Sequence, residues 1–248
     1  MIKTLPLLAF GLVYSQSMEV VYERAVKFDE AKIAQLPPEI QARIKANSQK
    51  NGYVLKIAGG QSSFQPLDNL TDPVTKSNVT EGGNKISTTT MKTQKYDVYK
   101  NLEDKTVLVD TELGFKPYAI VDKLPDLKWE ITDEKKELDG YPIQKAVGNY
   151  NGREVVAWFT DKIGVPEGPD VYQGLPGLIM RLESGSVVYT VSKVKSDENL
   201  KIVRPTKIGE QITFNKYWEL RKERESNFKN SVETNGNTTT TRRVIRLN

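Results

Sequence analysis

Two kinds of side chain that carry most proton transfer and metal binding near neutral pH are absent: the 248-residue sequence contains 0 His and 0 Cys. Their absence excludes a Ser-His-Asp triad, a thiol nucleophile with an imidazole base, and any zinc site built from imidazole or thiolate. Acid–base work would then fall to a carboxylate with a raised pKa or a lysine with a lowered one. Asp161 with Glu167 or Asp170 is the candidate acidic set, in the segment that follows Trp158. A solvated loop surface is the plainer reading of the same residues.

Ser-x-x-Lys occurs at Ser192 to Lys195 and at Ser226 to Lys229. The first falls on an expected strand, where positions i and i+3 face opposite sides; the second lies near a helix end without companion acyl-transfer motifs. Asp133 to Gly140 has carboxylates but lacks the alternating spacing of a calcium loop. The sequence therefore signals no catalytic residue, no metal and no cofactor.

These residues must be positioned by elements that begin after an export signal. Lys3, the apolar run Leu5 to Val13, and Val13 and Ser15 at the small-residue positions predict a signal peptide over 1–15, cleaved after Ser15. No Cys follows to accept a lipid, and after cleavage no integral membrane segment is expected. With 38% hydrophobic and 27% charged residues, residues 16–230 are expected to form one soluble domain without disulfides. The net charge of +4 is too small and dispersed to imply nucleic acid. A polar tail over 231–248 carries Arg242, Arg243 and Arg246, and its composition predicts disorder.

Met18 to Lys27 reads as a first strand. An early helix is expected from Asp29, with Pro38 near its start and Asn51-Gly52 ending it. Tyr53 to Ala58 is a strand, and the Ser/Thr/Asn/Gly-rich stretch over 62–92 predicts a mobile loop. A meander of short strands follows. Tyr96–Lys100 pairs with Thr106–Asp110, and Tyr118–Asp122 comes next; Leu127, Trp129 and Ile131 alternate with polar residues in another strand. Ile143–Tyr150 and Arg153–Thr160 form a hairpin across Asn151-Gly152, and Leu178–Leu182 pairs with Val187–Val194. Ile212 to Lys229 is an amphipathic helix. The expected fold class is α+β, mainly β. It is a single antiparallel curved sheet or half-barrel of about eight or more strands, with the early helix and the C-terminal helix packed on it.

Gly174-Leu175-Pro176-Gly177-Leu178-Ile179 is distinctive. Pro176 and Gly177 suit the corners of a type II turn with positive φ at Gly177, launching a strand at Leu178; the spacing fits no phosphate-binding loop. The hexapeptide resembles the name-giving motif of the GLPGLI family of exported bacterial proteins. Phe115-Lys-Pro-Tyr118, Trp129-Glu-Ile-Thr132, Asn151-Gly-Arg153, Ala157-Trp-Phe-Thr160 and Gly168-Pro169 resemble its other recurring blocks, and the likeness spans about Tyr53 to Val194. Gly164 and Tyr172 depart from the pattern, where Pro and Phe are expected. The resemblance implies a periplasmic or secreted Gram-negative protein without an established activity. The curved sheet further suggests a non-enzymatic binding or carrier scaffold for a hydrophobic ligand, lipidated chain or peptide, with Trp129, Trp158 and Tyr172 near the ligand. The alternatives are a carboxylate-dependent hydrolase of envelope polymers and a structural or interaction protein of the outer membrane.

Overall fold

The computed structural model describes residues 17–28, 30–35, 38, 41, 51–67, 76–81, 84–89, 96–114, 116–206 and 209–233. The expected signal peptide, Phe115, and the tail from 234 onward fall outside the described residues. Along the chain run β1 (Met18–Val26), α1 (Glu30–Ala34), β2 (Asn51–Ala58), β3 (Gln61–Pro66), β4 (Lys76–Glu81) and β5 (Asn84–Thr89). They are followed by β6 (Tyr96–Asn101), β7 (Thr106–Leu113), β8 (Lys116–Lys123), β9 (Glu130–Leu138), β10 (Tyr141–Tyr150) and β11 (Arg153–Thr160). The chain continues through β12 (Leu178–Ser184), β13 (Val187–Ser196), β14 (Glu210–Ile212) and α2 (Phe214–Glu233).

Twelve strands make one open sheet in the order β14-β8-β7-β6-β3-β2-β1-β13-β12-β11-β10-β9; β4 and β5 form a separate hairpin. The fold is thus mostly β, and it corrects the α+β expectation in two ways. First, the sheet is mixed. The chain leaving β13 crosses to the far edge and enters beside β8 in parallel, as a crossover permits and a tight hairpin does not. Second, no early helix of the expected length is found among the described residues. The helical element α1 is five residues long and ends in a turn at Gln35. Asn51 and Gly52 open β2 rather than ending a helix. The C-terminal helix α2 starts beside β8, with Tyr217 buried in the core and Phe214, Trp218 and Leu220 packed against it. Its first turn is capped by Thr213, whose Oγ1 accepts from Lys216 N, and Phe214 N donates to Asp122 Oδ2 at 3.0 Å.

Two local expectations also change. Ser62 and Phe64, placed in the expected mobile loop, are fully buried in β3. The strand expected over Leu127 to Thr132 begins only at Glu130, because Lys128 adopts a left-handed φ of 44° that breaks the pleat. Ile131 is consequently 45% exposed while Leu127 packs inward. The Asn151-Gly152 turn is as expected: φ is 51° and 76°, the two positive values that join right-twisted strands in register.

Register places Val20, Tyr22, Tyr53, Leu55, Phe64, Val98 and Val109 on one face. That face is concave. Phe64 of β3 and Tyr189 of β13 stand three strand spacings apart, about 14 Å on a flat sheet. Their ring centroids lie 5.6 Å apart. Tyr53 stacks on Phe64 at 5.1 Å, and Tyr22 meets the same ring edge-on. Burial of large side chains on this curled face, at roughly 1.5–3 kcal/mol each, is the main stabilising term.

Candidate functional site

The concave face is filled by the chain itself. Between β11 and β12, residues 161–177 fold back over it as a compact plug. Ile163, Val165, Val171, Tyr172 and Leu175 are buried. Proline geometry shapes the segment: Glu167 N donates to Val165 O across Pro166, and Gly177 N donates to Leu175 O across Pro176, each at 2.8 Å. These i to i+2 bonds are γ-turns centred on residues whose φ the pyrrolidine ring already fixes. Gly174 N to Pro166 O closes the loop on itself, and Leu178 N to Ile163 O and Ile179 N to Glu167 O bind it to the start of β12.

The hexapeptide therefore does not make the type II turn expected of it. Its positive φ is at Gly174, 93°, rather than at Gly177. Gly177 is required for a different reason: a Cβ there would lie 1.9 Å from the Thr160 carbonyl oxygen. Leu175, Leu178 and Ile179 are almost wholly buried, which makes Gly174 to Ile179 the hinge by which the plug enters the core.

Beneath the plug lies an ion pair. Lys100 Nζ is 2.5 Å from Glu167 Oε2, with both side chains fully inaccessible. Lys100 also donates to Gly168 O at 3.0 Å, Ser62 Oγ donates to Glu167 Oε1 at 3.2 Å, and Gly168 N donates to Glu167 Oε2 at 3.3 Å. Two charges taken out of water at this depth are tolerable only with such complete pairing. Lys100 and Ser62 face each other on β6 and β3, so the pair fastens the plug to the half of the sheet remote from β12.

Asp170 is half-buried and accepts from Tyr96 OH at 3.0 Å. Burial pushes its carboxyl above the usual aspartate range, opposed by the Tyr96 hydrogen bond and the Lys100 charge. Tyr22 OH donates to Ile179 O at 2.7 Å, and burial holds the Tyr22 and Tyr96 hydroxyls far above their ordinary pKa. Asp161 is exposed on the plug's outer end. The three carboxylates of the candidate acidic set thus have three different environments, and Glu167 is already spent on Lys100.

The three aromatic candidates are not brought together. Trp129 donates from Nε1 to Gln173 O at 2.9 Å and clasps the end of the plug. Tyr172 lies within the plug, its hydroxyl 2.9 Å from Ser184 Oγ and its ring edge-on to Tyr150. Trp158 is on the opposite face, under Lys136, whose Nζ stands 3.5 Å from the ring centroid. Lys136 is held below the usual lysine range by desolvation first and by Arg181 nearby.

Sequence reasoning missed Lys100, Ser62 and Tyr96. The signal was strand parity: Lys100 shares its face with Val98 and Tyr96, which turns a lysine inward among apolar neighbours. It also missed Tyr150. Tyr150 sits where β10 ends, beside a cleft at the rim lined with Asp122, Asn151, Phe214, Asn215 and Trp218. Among the described residues no group of three or more acidic side chains is arranged to hold a metal ion.

Comparison with known proteins adds fold but little function. A family model described as a protein of unknown function (Porph_ging) matches residues 149–181, which span β11, the plug and the hexapeptide. No curated protein matches the sequence. Solved structures of PNGF-II in two crystal forms superpose with TM-scores of 0.52 and 0.50 at 14% identity, covering 83% of this chain. The chain spans about a third of their length, 33% and 32%. At that identity the likeness concerns the fold alone.

Proposed function

We propose that this protein is an exported, non-enzymatic binding scaffold of the GLPGLI family, which recognises its ligand or partner at the rim of the sheet. The observation that carries this reading is the plug. The concave face that would otherwise cradle a lipid is occupied by residues 161–177 and fastened by the buried Lys100–Glu167 pair. A bound lipid would have to displace a segment held by its own hydrogen-bond network. Glu167 and Asp170, the acidic groups nearest that face, are engaged with Lys100 and Tyr96 rather than presented to a substrate.

Membership in the GLPGLI family is supported by the hexapeptide and by the position of the matched segment around it. Export to the periplasm or beyond is supported by Lys3, the apolar run and Ser15. The recurrence of the fold as about a third of a longer chain suits a module that contributes a surface. The test is native mass spectrometry of protein purified from the envelope, with crosslinking in intact cells. The reading expects a mature chain starting at Gln16, no stoichiometric lipid, and a crosslinked partner mapping to the rim. A lipid retained at one per chain, or an unprocessed N-terminus on a cytosolic protein, would overturn it.

A further inference from the structure

An ammonium has three hydrogens to place. Among the described residues Lys100 finds acceptors for two of them, Glu167 Oε2 at 2.5 Å and Gly168 O at 3.0 Å. The Glu167 carboxylate accepts in turn from Ser62 Oγ at 3.2 Å and from Gly168 N at 3.3 Å. Both charged side chains are fully inaccessible, so water relieves neither the spare hydrogen nor the cost of the charges.

The same surroundings fit the amide that joins these two residues. A Lys–Glu amide is neutral and has a single N–H and a single C=O. Gly168 O is in place to accept from the first and Ser62 Oγ to donate to the second, so no hydrogen is left over and no charge stays buried. In water the separate ions are favoured over the amide; in a dry core condensation removes both charges and releases a water. From this geometry we propose that Lys100 and Glu167 condense after folding into an intramolecular isopeptide bond. It fastens the plug to β6 covalently, in a chain whose 0 Cys leave no disulfide to do so.

The step balances within the pair. A proton passes from Nζ to Oε2 across their short contact and leaves an amine and a carboxylic acid, both neutral. The nitrogen lone pair adds to Cδ, and Ser62 hydrogen-bonds Oε1, the oxygen that takes up the charge. A second proton moves from the nitrogen to Oε2, the Cδ–Oε2 bond breaks and one water leaves; nothing is oxidised or reduced. Asp170 can relay that proton, because the Lys100 charge acts on its carboxyl and burial favours its protonated form. The fold holds amine and carboxyl in contact, which replaces the activation such a condensation needs between free molecules.

The experiment follows the intact mass of the mature chain, residues 16–248, from fresh preparation through a week in native buffer. Freshly folded protein holds the ion pair, and a fraction lighter by one water is expected to grow with time. Tryptic digestion of the aged protein is expected to give a branched species that joins residues 96–105, uncut after Lys100, to residues 163–181. Lys100→Met and Glu167→Leu are expected to keep their full mass. Where either variant fails to fold, wild type held in urea is the second control: without the fold the two groups do not meet, and the branched species does not form. An unchanged mass after the week overturns the assignment. So does a water lost elsewhere, as by succinimide formation at Asp139-Gly140, or branching that appears equally in urea.

Discussion

Beneath the plug, polar groups as costly as a lysine and a glutamate are buried and paired with one another; at the rim, a tyrosine hydroxyl is buried with no acceptor for its proton among the described residues. Lys100, Glu167 and Ser62 satisfy one another, Tyr22 is spent on Ile179 O, and Tyr172 on Ser184. Tyr150, ring to ring with Tyr172, has nothing for its proton. Both regions bury polar atoms in similar aromatic surroundings, so burial alone does not mark a site. Completion differs instead: the network beneath the plug is closed, while the proton of the Tyr150 hydroxyl has no acceptor among the described residues.

The contrast can be broken most forcefully at Gly177. Gly177→Ala sets a Cβ 1.9 Å from the Thr160 carbonyl, a backbone collision that no rotamer relieves. It is expected to cost more than about 4 kcal/mol, in the exceptional range for one substitution, or to yield no folded protein. A urea midpoint near that of the parent would mean that the plug does not lie against β11 as described.

Next in size is the ion pair. Lys100→Met leaves Glu167 buried without its cation and is expected to cost about 3–5 kcal/mol by urea denaturation. The double variant Lys100→Met with Glu167→Leu is expected to recover most of that loss. If the single change costs under about 1 kcal/mol, in the range of exposed pairs, the two side chains are not sealed.

The two tyrosines sharpen the comparison directly. Tyr22→Phe leaves Ile179 O without its donor and should cost about 1–2 kcal/mol, whereas Tyr150→Phe removes a hydroxyl whose proton has no acceptor and should cost less. Equal losses from the two would erase the distinction between the closed network and the rim.

The smallest effect is a pH slope. Asp170 has a folded pKa raised by burial, so between the ordinary aspartate value of about 3.9 and that raised value the native state holds more protons than the unfolded one. Its contribution is therefore lost as pH rises through this window and regained on acidification. Asp170→Asn cannot titrate, and the stability of wild type minus variant is expected to fall with increasing pH there. A difference that rises instead would mean the carboxylate is favoured in the fold.

Local signals in the sequence reach a definite part of this structure. The Asn151-Gly152 hairpin, the pairing of β6 with β7 and of β12 with β13, and the covered strand β11 follow from turn chemistry and period-two patterning, which act over a few residues. The plug does not, because nothing within 161–177 says where its carboxylates will go. Glu167 finds Lys100 and Ser62 only after the sheet has curled, from 67 and 105 residues away. The same limit explains Gly177. Proline followed by glycine reads locally as a turn with positive φ, while the actual demand comes from the Thr160 carbonyl pressed against it.

Native-state hydrogen exchange of the mature protein tests most directly whether the concave face is sealed. The amides to follow are those of Gly174, Gly177, Leu178 and Ile179, bonded to Pro166, Leu175, Ile163 and Glu167. A fastened plug predicts that they exchange only with global unfolding, at the same free energy as Val20 and Tyr22 in β1. Rapid exchange of these amides while β1 stays protected would show a plug that opens on its own, and a face available to a ligand after all.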